Sequence, residues 1–179
     1  VFDREAPIAA PAWLVGEALV SQGPNRIDRS AEVDAREFEP PRHELSNEYL
    51  WDGPYFGNDW GFSVDPATLV KLFIDPVAMN IYIREAAGGT KIELDDLGQK
   101  MYGKVSESDR YIIRADKTRP ETINYVNRQG WGINVVAAEQ WQGSIEDGVD
   151  WLKSFNKIII HPDCTEVSTE FRKYSYKID

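Results

Sequence analysis

Cysteine occurs once in this 179-residue chain, as Cys164, and histidine and methionine occur twice each. A lone thiol excludes an internal disulfide framework and fits a reducing compartment, where its ordinary role is that of a small packing residue. His161-Pro162-Asp163-Cys164 offers half of a zinc site, and no second Cys/His pair exists to complete four ligands. No run approaches the ~18 apolar residues that a membrane span requires. The start at Val1 lacks a basic stretch followed by an apolar one, so the expectation is a soluble chain that is not exported. Positive charge is in deficit too, with 20 Lys and Arg against 30 Asp and Glu and a formal net charge of −10. Residues 1–50 hold 5 basic and 10 acidic side chains and residues 51–179 hold 15 and 20, so neither part is basic. Weak intrinsic affinity for a polyanion is the consequence. A local basic face drawn from Lys104, Arg110, Lys117, Arg119 and Arg128 is compatible with that sum, and so is plain solvated surface.

What the chain does have is enough apolar content, 42%, for one good core, and two aspartates in matched settings. Asp59 follows a hydrophobic and aromatic run and sits in Gly57-Asn58-Asp59-Trp60-Gly61-Phe62. Asp116 ends Tyr111-Ile112-Ile113-Arg114-Ala115-Asp116, which reads as a buried strand. A single Asp at such a place usually just opens a turn. Two strands that each end on an aspartate suggest a divalent-metal site, because hard cations need carboxylate oxygens converging from separate rigid elements. Asp65, six residues after Asp59, is a third acid of the same loop, with an Asp-Pro turn as its equal alternative.

The elements around them follow from periodicity and punctuation. Residues 69–74 and 80–86 are β-rich runs joined at Asp75-Pro76, a hairpin. Residues 93–102 read as a helix. Pro120 opens another, with Ile123 and Val126 on its apolar face and Gly130 as its stop. A strand over 133–138 follows. Ser144-Ile145-Glu146-Asp147 has the form of a capping box, and Ile145, Val149 and Leu152 are spaced for one buried helical face. Lys157-Ile158-Ile159-Ile160 is a last strand. The order of three strands, helix, strand, helix, strand, helix, strand predicts an α/β fold of the ribonuclease H-like type, a mixed central sheet flanked by helices. Trp60 and Trp141 read as core residues that could also line a groove. Gly98-Gln99-Lys100-Met101-Tyr102-Gly103-Lys104-Val105 imitates a P-loop, but Val105 has no hydroxyl and a helix precedes it, so it reads as a helix end with a glycine cap. Residues 1–50, rich in mixed charge and interrupted by Pro40-Pro41, read as a linker or lead-in segment, and residues 51–179 as the main domain.

Four blocks, residues 57–66, 115–123, 141–148 and 174–179, together resemble the C-terminal nuclease domain of tailed-phage terminase large subunits, in the family's order and at plausible spacing. The resemblance covers roughly residues 55–179 and implies a metal-dependent endonuclease that cuts concatemeric double-stranded DNA during viral genome packaging. By the same resemblance two Mg²⁺ or Mn²⁺ ions, about 3.5 to 4 Å apart, would be bridged by Asp59 and ligated by Asp116, with Asp65 as a further candidate. Lys117 or Arg119 would hold the scissile phosphate, and Lys104 joins them as a DNA-binding candidate. The partners implied are double-stranded DNA, the ATPase domain of the same protein, portal and the small terminase subunit, with no membrane, in the host cytoplasm at the procapsid. Two departures stand out. The family's third acidic ligand lies beyond Asp179, so the nuclease domain is expected to lack its C-terminal end here. Gln140 stands where many relatives have lysine. Another ribonuclease H-like nuclease, such as a resolvase or exonuclease, and a non-catalytic packaging module are the alternatives.

Overall fold

Apolar residues at alternating positions build the sheet first. In the computed structural model, which describes residues 40–42 and 49–173 apart from the side chains of 145, 149, 172 and 173, six strands form one sheet in the order β5-β4-β1-β2-β3-β6. They are β1 (Asp52–Asp59), β2 (Ala67–Asp75), β3 (Asn80–Gly89), β4 (Ile112–Ala115), β5 (Asn134–Ala137) and β6 (Lys157–Ile160). β2 runs antiparallel to both β1 and β3, whereas the β1/β4, β4/β5 and β3/β6 pairs are parallel. The carboxyl ends of five strands therefore share one edge. From β1 the chain leaves in one direction through β2 and β3 and returns to the other side of β1 with β4, so β1 and β4 flank a topological switch point. In open α/β sheets that is where ligands settle.

The turn at Asp75 forms as the sequence predicts, its Oδ1 accepting the Val77 and Ala78 amides at 2.9 Å each. A bulge opposite Lys71/Leu72 resets the alternation of β3, so that Val70, Leu72, Ile74, Ile81 and Ile83 all feed one face. Leu152 and Phe155, at the end of helix α3 (Ser144–Lys153), cover this face together with Val167 and Phe171 of α4 (Thr165–Lys173). The opposite face, with Phe56, Leu69 and Ile113, is covered by Leu97 of α1 (Leu97–Lys100), by Met101, Tyr102 and Val105, and by Ile123 and Val126 of α2 (Pro120–Arg128). This is the mixed sheet flanked by helices that the element order predicts. Cys164 is buried in the first cluster, as a packing residue should be, and burial pushes its thiol up to about 12.

Several local expectations are corrected. The helix over 93–102 is three short pieces, the 3₁₀ turn Leu94–Asp96, α1, and the 3₁₀ turn Tyr102–Lys104. The P-loop imitation falls there, but neither Gly98 nor Gly103 has the positive φ of a glycine cap. Gly98 is instead required by packing, since a Cβ at that position would meet the Trp131 ring at 2.5 Å. Gly130 does take the left-handed conformation, φ 72°, just past α2. The Ser144 capping box is not made: Gly143, with φ 87°, occupies the N-cap of α3, and no side chain caps the helix. α4 has no counterpart among the predicted elements. Most of residues 1–50, and the 174–179 block, lie outside the described residues. Of the lead-in, Tyr49 packs edge-on to Phe73, with centroids 4.9 Å apart, and Trp51, the first residue of the main domain, stacks on Tyr82 at 4.1 Å.

Candidate active site

At the switch point, register decides which side chains meet. Phe56 and Ile113 are partners across the β1/β4 pair, as are Asn58 and Ala115, and the Asp116 amide donates to the Asn58 carbonyl at 3.3 Å. Asp59 and Asp116 are thus the next step of the same ladder, on strands about 4.8 Å apart. Phe56, Ile113 and Ala115 all point into the cluster under α1 and α2. Alternation consequently sends both aspartates to the other side, at the rim of the sheet. The structure brings together the two residues that the sequence pairs.

Each carboxylate is oriented by its neighbours. Asp59 Oδ1 accepts the Trp60 amide at 2.8 Å, and the Trp60 indole N–H donates to the Asp116 carbonyl at 3.1 Å, tying one strand end to the other. Trp60 also packs partly buried against the core, as expected. Asp116 Oδ1 accepts the Thr118 amide at 3.1 Å and the Gln140 side-chain amide at 3.2 Å, while its Oδ2 accepts the Thr118 hydroxyl. Beneath Asp59 lies Asn58, fully buried, whose Nδ2 donates to the carbonyls of Asp59 at 2.9 Å and Thr68 at 3.1 Å. Its Oδ1 accepts the Tyr102 hydroxyl at 2.6 Å. Burial raises the Tyr102 phenol above its ordinary range, so it remains a donor throughout the physiological range.

The remaining candidates are less central. Asp65 is exposed in the loop after β1, which folds so tightly that a Cβ on Gly61 would meet the Asp65 carbonyl at 2.1 Å. Among the described residues no group of three His, Cys, Asp or Glu side chains is disposed to hold a metal ion, so Asp65 does not complete a triad with the pair. Lys117 is exposed, and its Nζ donates to the Gln140 carbonyl at 3.0 Å, beside Asp116. Arg119 is exposed at the N-cap of α2, and Lys104 is exposed in the 3₁₀ turn before Val105. Trp141 is not a core residue: it is 54% exposed and its indole donates to Asp147 Oδ2 at 2.7 Å, which is also what Asp147 does instead of capping. Thr118, Tyr102 and Asn58 escape a motif-based reading. The one signal was Asn58 itself, a polar residue at a core parity between Phe56 and Asp59.

Two anionic oxygen donors at adjacent strand ends suit a hard divalent cation, which binds through one or two carboxylates and takes the rest of its shell from water and phosphate. The fold defines the class, an RNase H-like domain, with two aspartates side by side at its switch point. The chain belongs to the family described as Terminase RNAseH like domain, whose model matches residues 59–179 and so begins at Asp59. It is 27% identical over 123 residues to the PBSX phage terminase large subunit of Bacillus subtilis (strain 168). That match covers 69% of this chain and 28% of the relative, so the chain spans just over a quarter of that protein's length. Among solved structures it is similar to the g2p (large terminase) nuclease domain from the bacteriophage SPP1 with bound Mn, at TM-score 0.65 and 21% identity over 86% of this chain and 80% of that one. The P22 large terminase nuclease domain matches at TM-score 0.50 and 12% identity, over 87% and 80%.

Proposed function

We propose that this domain is a divalent-metal-dependent endonuclease that cuts concatemeric double-stranded DNA during viral genome packaging. The observation that carries the reading is the convergence of Asp59 and Asp116 on the parallel ends of β1 and β4. Membership of the terminase family and the Mn-bound SPP1 domain support it. Two Mg²⁺ or Mn²⁺ ions, when bound, supply activation of water and stabilisation of the leaving oxygen. Asp59 and Asp116 would hold them, and the Trp60 indole ties the two strand ends together. Lys117, held beside Asp116 through the Gln140 carbonyl, and Arg119 offer positive charge to a scissile phosphate. With a net charge of −10 the chain has little affinity for duplex by itself, which suits a nuclease whose DNA is delivered by the ATPase part of the same protein at the portal of the procapsid in the host cytoplasm.

The test is plasmid cleavage in Mn²⁺ at low salt, with circular dichroism as the control for folding. Asp59→Asn and Asp116→Asn should each bring cleavage below detection while remaining folded. Cleavage at the parental rate by either variant would remove that residue from the site.

A further inference from the structure

Asp116 has little freedom left for a ligand. An ionised carboxylate offers about four lone-pair sites, two on each oxygen. Both sites on Oδ1 are filled, one by the Thr118 amide at 3.1 Å and one by the Gln140 Nε2 at 3.2 Å. One of the two on Oδ2 is filled by the Thr118 hydroxyl. The partly buried Gln140 is itself braced. Its carbonyl accepts Lys117 Nζ at 3.0 Å, and the next residue, Trp141, is anchored by its indole to Asp147 on α3. The loop between β5 and α3 thus lies over the end of β4 with one amide aimed at the carboxylate.

We propose that Gln140 is a positioning residue for Asp116: together with the Thr118 amide it occupies Oδ1, which among the described residues leaves one open site, on Oδ2, and so makes Asp116 a one-oxygen ligand of fixed direction. The inference rests on the metal-dependent reading above. Hydrogen-bond partners of ligating carboxylates typically contribute 10- to 100-fold to metal affinity. Gln140→Met keeps the length of the side chain and removes its donor, and Gln140→Ala removes both.

The experiment measures Mn²⁺ affinity of the full chain and these two variants from the electron paramagnetic resonance signal of free Mn²⁺, with thermal unfolding of each in parallel. Both variants should raise the dissociation constant about tenfold or more and leave the melting temperature within about 2 °C, since a partly exposed loop contact carries little stability. Wild-type affinity in Gln140→Met would overturn the proposal, and so would an affinity loss accompanied by a fall of many degrees in melting temperature, which marks a structural role. A folded wild-type chain that binds no Mn²⁺ at all would refute the metal-dependent reading itself, and this inference with it.

Discussion

Asn58→Ala should destabilise the domain and displace the end of β1 at the same time. Asn58 is 0% exposed, and its side chain makes three hydrogen bonds, two donated to the carbonyls of Asp59 and Thr68 and one accepted from Tyr102, itself 1% exposed. Without Asn58 the Tyr102 hydroxyl would be orphaned. An unsatisfied buried polar group costs about 1–3 kcal/mol, and the small void adds to it, so a loss of about 3 kcal/mol is expected. In a chain of this size that lowers the melting temperature by about 6–12 °C. Tyr102→Phe should cost about 1–3 kcal/mol by stranding Asn58 Oδ1. The diagnostic is the cycle. With Asn58 already gone, removing the hydroxyl deletes an orphan, so the double variant should be more stable than the sum of the singles predicts by about 1–2 kcal/mol. Urea unfolding followed by circular dichroism measures all four states. Strict additivity would mean that the two side chains are not coupled and that the buried network does not hold β1 in place.

Two further outcomes follow from the packing. Lys71, 3% exposed on β2, is ion-paired with Glu85 at 3.2 Å and Glu107 at 2.7 Å and also donates to Ser106 Oγ at 2.7 Å. Burial alone would raise both glutamates, but Ser106 and Lys71 together hold Glu85 below the usual carboxylate range, and Lys71 and Tyr49 do the same for Glu107. Depressed folded-state values mean that this stabilisation is complete above about pH 4.3, the ordinary Glu value, and is lost as pH falls through the folded values. Lys71→Met should therefore cost about 3 kcal/mol at pH 7, the low end for breaking a buried pair because both glutamates are partly exposed, and the gap from wild type in urea unfolding should narrow at pH 4 and below. An unchanged gap would refute the assignment. Gly98→Ala should cost about 1–3 kcal/mol through overpacking on Trp131, read as a lower midpoint in the same assay, and a neutral result would show that Trp131 shifts freely.

Much of the fold was legible because strands such as Lys157–Ile160 and the Asp75 turn carry their own signals, apolar runs and an Asx turn, that need no tertiary information. The adjacency of the two aspartates was legible for the same reason: Asp59 ends β1 and Asp116 directly follows β4. What periodicity could not convey were contacts set by three-dimensional approach. Gly98 gives way to an indole 33 residues away, and the resulting region is a series of short turns in place of one helix. Gly143 takes the N-cap that composition assigns to Ser144, and Trp141, apolar by type, lies at the surface, where its N–H donates to Asp147. The hydrogen bonds from Gln140 and Thr118 to Asp116 depend on how loops cross the sheet edge, which spacing does not encode.

Anomalous scattering from a crystal of the protein soaked in Mn²⁺ tests the central claim most directly. The account predicts density at the carboxyl ends of β1 and β4, with oxygens of both Asp59 and Asp116 at about 2.0–2.3 Å from an ion. Manganese bound elsewhere, in contact with neither aspartate, would contradict it.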